Sequence, residues 1–408
     1  MEISKSKIKS LVDYMTGGIT HIISTFGRRG PGDQGEVETQ KHFAIELKKY
    51  ADKVVSEEFT VRPAAFMGWI YISCTFLIMA MILYFFFPIV SLILLILGVL
   101  PMIFEFVMYK RFVDFLFYKK TSMNVYASRK PVNEVKRRIV FNGHSDAAFE
   151  WRWHYKFGFK GLLFLVIGTF TGLLFTLGIT IASLAVNKLN APTTNELALF
   201  ILGLLQIVFL PFVIGMYLFS DNKTVVPGAN DNLTACYMSM AIMKLLAEED
   251  IRFNNTEVCC LITGSEEAGL RGAKVWADKH KKTMANAETA FVVFETLRDL
   301  KYLTIYNKDL NGTVKNDPQV SELIKSAAKN CGIDIKYGTV TIGSTDSAAF
   351  SQEGLQSTAI AAMNPVAEKY YHTRLDNFDN ISPECLEKVL EISLKALEDF
   401  DNNGLPVV

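Results

Sequence analysis

The chain has 408 residues, with 42 basic and 42 acidic side chains and no net charge. Half of it is hydrophobic and its mean hydropathy is positive, which argues against a plain cytosolic globule. Aromatic residues at 12% exclude a disordered chain, and the cancelled charge, with no Lys/Arg-rich block, leaves nothing to recruit nucleic acid.

The N-terminus carries lysines but no apolar core ahead of a small-residue cleavage site, so no cleaved signal peptide is expected. FGRRGPGDQGE reads as a turn-rich loop. Phe43, Leu47 and Tyr50 recur at helical spacing, and VVSEEFTV after them reads as a strand. Residues 63–104, 161–187 and 197–220 then contain no Asp, Glu, Lys, Arg or His. A membrane helix needs roughly 20 apolar residues. The first stretch is about twice that and is divided by Pro88, which predicts helices Phe66–Phe87 and Ile89–Val107 as one hairpin. The other two stretches predict a second hairpin.

Two short hairpins return the chain to the side it came from, so all the polar sequence shares one side. Lys53, Arg62, Lys110, Arg111, Lys119, Lys120, Arg152, Lys156, Lys160 and Lys223 flank that side, against Lys188 alone in the far loops. The positive-inside rule makes the polar side cytoplasmic, in a multi-pass protein with the lipid bilayer as a partner. Glu105 alone lies within reach of a span, so the hairpins read as anchors and not as an ion path. The six cysteines read as free thiols, and the sequons at Asn232, Asn254 and Asn311 matter only for a lumenal domain.

The remainder, residues 1–62, 110–160 and 221–408, reads as one domain interrupted by hairpins at 63–109 and 161–220. Apolar runs at RRIVFNGH, TEVCCLITGSEE, AFVVFE, YLTIYN and STAIAA alternate with helical patterns at Leu233–Glu248, Pro318–Asn330 and Pro383–Phe400. This is α/β organisation, in which ligands sit beyond the carboxyl ends of the strands. His144 and Asp146 follow the first run, Asp231 follows the last apolar stretch, Glu266 and Glu267 follow the next strand, and Glu295 ends another; His372 lies in YYHTRLD. Two imidazoles with several carboxylates form the mixed nitrogen and oxygen set that suits zinc with an open position.

These motifs, in this order, resemble the M28 family of zinc-dependent peptidases, which includes di-zinc aminopeptidases, glutamate carboxypeptidases and glutaminyl cyclases. SMNVYASR resembles its first core strand, and GHSD, PGANDN, GSEEAGLRGA, GSTDSAAF and YHTRLDN its metal-site blocks. The resemblance implies a mixed β-sheet flanked by helices, here with four transmembrane helices added. It implies two Zn2+ per chain, one held by His144, Asp231 and Glu295 and the other by Asp231, Glu267 and His372, with Asp231 bridging. Glu266 would be the general base, with Asp146 orienting His144 and Asp346 a further polar support. Family members often have Asp where Glu295 stands, and His where Ser347 stands.

The expected function is a membrane-anchored di-zinc exopeptidase, most simply an aminopeptidase acting on N-terminal residues of peptides with a metal-bound hydroxide. A glutaminyl cyclase-like zinc transferase and a non-catalytic membrane scaffold are the alternatives. The hairpin inserted between GHSD and PGANDN either presents a membrane-delivered peptide end or only tethers a general peptidase. Glu150 and Asp376 are candidate carboxylates for a substrate α-amine, and spacing singles out neither.

Overall fold

The computed structural model describes residues 3–186 and 192–408, so Lys188 lies outside the described residues. Two compact units emerge: Met1–Pro63, Lys119–Ala148 and Val225–Val408 form the first, and Ala64–Tyr118 with Phe149–Thr224 form the second. Residues 110–118 and 149–160, read from sequence as part of the polar domain, group instead with the apolar helices.

The first unit is built on a nine-stranded sheet: β1 (Lys53–Val61), β2 (Lys120–Arg129), β3 (Arg137–His144), β4 (Thr256–Thr263), β5 (Glu288–Leu297), β6 (Leu303–Asp309), β7 (Val314–Lys315), β8 (Lys336–Thr339) and β9 (Ser357–Ala362). The order is β1-β2-β4-β3-β5-β9-β6-β8, with β7 beside β6. β4, β3, β5 and β9 are mutually parallel, whereas β1 with β2, β2 with β4 and β9 with β6 pair antiparallel, and β8 runs parallel to β6. The four parallel strands therefore deliver their carboxyl ends to one edge. β3 and β4 are buried along almost their whole length, as apolar runs covered on both faces should be.

Helices cover both faces. Pro318–Asn330 shows why they form: Val320, Leu323, Ile324, Ala327 and Ala328 are buried on one stripe, and the Asp317 carboxylate accepts from the Gln319 and Val320 N–H groups at 2.9 Å each. Lys5–Phe26, not anticipated from sequence, buries Ile8, Leu11, Val12, Met15, Ile19 and Ile22 by the same spacing. The turn-rich segment before β1 is shorter than expected, because a helix already begins at Gln34. Helix Thr234–Glu248 lies directly against β3. Gly143 permits this, since a Cβ there would fall 2.6 Å from that of Ala235.

Among the described residues of the second unit, four helices are long and apolar enough to cross a membrane: Ala65–Leu83, Pro88–Val107, Arg152–Val186 and Leu197–Met216. The third starts earlier than its uncharged stretch and is broken at Gly158, where φ is +67°. Within the first pair the Ser73 hydroxyl donates to Gly98 O at 2.6 Å and the Ser91 hydroxyl to Ala80 O at 2.8 Å. Glycines at 168 and 172 let the Phe212 and Phe209 side chains pack against the third helix. Ile93, Phe164, Leu174 and Val208 stay exposed on the outside, the surface a helix offers to lipid. Glu105 is buried and accepts from the Phe112 and Val113 N–H groups at 2.8 and 3.0 Å, so it terminates its helix.

Beneath the strand ends, the rings of Phe141 and Phe294 stack with centroids 5.8 Å apart and planes 3° from parallel, both fully buried. Phe141→Ala should therefore cost about 3–5 kcal/mol. Thermal unfolding in detergent will show this as a clear drop in Tm; an unchanged Tm would mean that the pair carries no packing energy.

Candidate metal centre

The carboxyl-terminal ends of β3 and β5, the loop after β4 and the segments at 228–233 and 370–376 bring His144, Asp231, Glu266, Glu267, Glu295 and His372 together. Ligand atoms of His144, Asp231 and Glu295 all lie within 4.8 Å of one another, and so do those of Asp231, Glu267 and His372. Asp231 belongs to both groups: its Oδ1 lies 3.3 Å from His144 Nε2 and its Oδ2 3.0 Å from His372 Nε2. Glu267 Oε1 is 3.2 Å from His372 Nε2. Glu266 falls outside both groups, its Oε2 3.8 Å from His144 Nε2.

The supporting carboxylates mostly grip backbone. Asp146 accepts the Glu266 and Glu267 N–H groups, one on each oxygen at 2.9 Å, and its Oδ1 also lies 3.4 Å from His144 Nδ1. Asp376 accepts the Asn230 and Asp231 N–H groups at 2.9 and 3.0 Å and the Asn230 amide at 2.8 Å. With both oxygens engaged, Asp376 is a loop anchor and no longer a candidate for holding a substrate amine. Glu150 is buried in the second unit. Asp346 accepts from the Thr263 hydroxyl. Ser347 is fully buried and its hydroxyl bonds Asn316 and Ser357 at 3.0 and 2.8 Å, so it serves the interior. Asn232 is 1% exposed, and its sequon cannot be modified in the folded chain.

Three residues escaped the sequence reading. Arg29 is fully buried and donates to Ser145 O and Gly228 O at 3.1 Å each, joining the loops that carry His144 and Asp231. Glu36, also fully buried, accepts from Gly32 N–H at 2.6 Å and the Ser122 hydroxyl at 2.9 Å. Gln40 donates to the Ser145 hydroxyl at 2.6 Å. The i, i+4 spacing of Glu36 and Gln40 on one helix face was the available signal.

Burial pushes the carboxyls of Glu266, Glu267 and Glu295 above their ordinary range, because charge is poorly solvated there. His144 is held well above its usual value: burial pulls it down, but Glu266, Asp146 and Asp231 outweigh that. Asp231 moves the other way, because the two imidazoles override its burial. Imidazole nitrogens and carboxylate oxygens gathered in such numbers are the donor chemistry that fits divalent zinc.

The same shifts fix how the metal-free chain responds to pH. Burial raises Asp346 to about 6, Asp376 to about 7 and Glu36 to about 8, so the native state keeps protons that the unfolded chain has released. Stability from these groups is lost as pH climbs from the unfolded carboxylate range through those values. His372, raised to about 10 by Glu267 and Asp231 against its burial, acts in the same direction above its unfolded value. Asp231, depressed, matters only below about pH 4. Metal-free protein should therefore melt at a higher temperature at about pH 5.5 than at about pH 8, and saturating zinc should narrow the gap. Differential scanning fluorimetry decides; a Tm that rises across this interval without metal contradicts the assignment.

Residues 219–397 match the model of peptidase family M28. No curated protein matches the chain in sequence. Among solved structures, a zinc aminopeptidase from Bacillus subtilis is similar in fold at a TM-score of 0.56, with 13% identity and 95% of each chain covered. A glutaminyl cyclase from Bacteroides thetaiotaomicron superposes at 0.53, with 14% identity and coverage of 97% of this chain and 98% of that one. An aminopeptidase from Aneurinibacillus sp. strain AM-1 superposes at 0.55, with 12% identity over 97% and 93%. The segment 219–397 thus carries the match to peptidase family M28, and that match supports a zinc-dependent metallopeptidase.

Proposed function

We propose that this protein is a membrane-anchored exopeptidase, an aminopeptidase that removes N-terminal residues from peptides at a two-zinc centre. The observation that carries the reading is the pair of donor groups sharing Asp231, each of its oxygens facing a different imidazole. His144, Asp231 and Glu295 would hold one zinc, and Asp231, Glu267 and His372 the other. Bound zinc supplies Lewis acidity at the scissile carbonyl and lowers the pKa of water. Glu295 fits a ligand role despite its length, because Asn232 Nδ2 and the Thr296 hydroxyl hold its oxygens at 3.3 and 3.0 Å.

Glu266 takes the proton of the attacking water on a carboxylate oxygen and hands it to the leaving amine. Two features support that role. It stands beside the donor groups without belonging to either, and burial raises its pKa toward the range in which a proton is readily both accepted and returned. Asp146 keeps Glu266 and Glu267 at a fixed offset through their backbone N–H groups and orients the His144 ring.

The cyclase alternative draws on the related fold of a glutaminyl cyclase, but a single-zinc transferase has no use for the second donor group. The scaffold alternative has no missing ligand or base to rest on. The four apolar helices anchor the chain in this reading, and the basic residues flanking them, among them Lys53, Arg62, Lys110 and Arg111, support a cytoplasmic polar unit by the positive-inside rule.

Glu266→Gln should keep its zinc, measured by elemental analysis of detergent-purified protein, while turnover of aminoacyl substrates falls by about 10²–10⁴-fold. Full activity in this variant would remove Glu266 from the base role, and fewer than two zincs in the wild type would shift the reading toward cyclase chemistry.

A further inference from the structure

Ser265 stands immediately before the two adjacent glutamates, and its φ is +53°, a left-handed conformation that a side chain makes costly. What compensates it comes from a distant part of the chain. The Ser265 N–H donates to Glu36 Oε1 at 2.5 Å, and its hydroxyl lies 3.1 and 3.3 Å from the two Glu36 oxygens. Glu36 is itself fixed at Oε2 by Gly32 N–H and the Ser122 hydroxyl, in a fully buried setting. On the far side of this turn the side chains diverge: Glu266 approaches His144 and Glu267 approaches His372. Glu36 lies outside the segment that matches the peptidase family.

We propose that Glu36 is a positioning residue of the metal centre: its carboxylate pins Ser265 in the left-handed conformation, and that turn is what separates the base Glu266 from the ligand Glu267. The inference rests on the two-zinc reading above. The hydrogen bonds of Glu36 go to Gly32, Ser122 and Ser265 and to none of the five proposed ligands, so it acts through the backbone of the turn. Glutamine in its place keeps the shape but presents an NH2 group on one side, so either the Ser265 N–H or the Gly32 N–H then faces a donor in place of an acceptor. Glycine at 265 adopts the same φ unaided.

The test uses the full chain in detergent with zinc alone as the probe. Zinc affinity is read by competition with a chromogenic chelator for wild type, Glu36→Gln, Ser265→Gly and the double variant, with the Tm of each metal-free form measured alongside. Glu36→Gln should weaken the more loosely held zinc by about tenfold. Adding Ser265→Gly should recover at least half of that loss on a logarithmic scale. A residue serving only core stability would lower the metal-free Tm and gain nothing in zinc affinity from the glycine. Affinity within about twofold of wild type in Glu36→Gln, or no recovery in the double variant, overturns the proposal. If Glu36→Gln does not fold, Ser122→Ala loosens the same carboxylate and should weaken zinc by a smaller factor with the same rescue; unchanged affinity there overturns it equally. Wild-type protein that binds no zinc sinks the metal reading itself, a result distinct from zinc binding that is indifferent to Glu36.

Discussion

Buried negative charge is the constraint around which the polar unit is organised. Glu36, Asp146, Asp231, Asp346 and Asp376 are all 3% exposed or less, and Glu266 is 8% exposed. Carboxylates removed from water are expensive unless something replaces the lost solvation. Here they divide by what replaces it. Glu36, Asp146 and Asp376 accept backbone N–H groups from the loops they hold, which turns an electrostatic liability into a means of fixing the chain. Asp231, Glu267 and Glu295 instead converge with the imidazoles, where a dication is the natural counter-charge.

The sheet supplies the frame for that arrangement. Because β4, β3, β5 and β9 run parallel, residues far apart in sequence reach a common edge, and His144 pairs in register with Thr263 just before the glutamate turn. Irregular backbone is concentrated where the strands stop. Ser265, Thr296 and His372 all have positive φ, and each is a donor-group residue or directly adjoins a glutamate of the site. Such conformations persist only where surrounding contacts over-determine them. For Ser265 the Glu36 carboxylate is such a contact.

Much of this was legible in the order of residues. Strands at RRIVFNGH, TEVCCLIT, AFVVFE and STAIAA carry continuous apolar runs because both faces are covered; His144, Glu266, Glu267 and Glu295 are read at or just past three of them, Asp231 and His372 from loops elsewhere, and these side chains lie near one another in the structure. The apolar helices were equally plain, although Gly158 and the charged turn at Arg152 blurred the start of one. Glu36 and Arg29 were not legible for a physical reason. Beyond its i, i+4 spacing from Gln40, Glu36 looks locally like any helix-face acid, since its partners Ser122 and Ser265 lie 86 and 229 positions away. Arg29 reaches 116 and 199 positions to its acceptors. Asp376 misled in the opposite sense: its residue type suits amine binding, and only the geometry shows its oxygens already committed to backbone.

The strand order also dictates when the sheet can close during synthesis. β3 sits between β4 and β5, and both are made only after the Arg152–Val186 and Leu197–Met216 helices have left the ribosome. Until Thr263 has emerged, β3 has no neighbour on either side and β2 is paired only with β1; until Leu297 has emerged, one side of β3 stays open. Such an incomplete sheet exposes strand edges that invite wrong partners. A long-lived open intermediate, to be shielded while the apolar helices are being handled, is thus built into the connectivity of this chain.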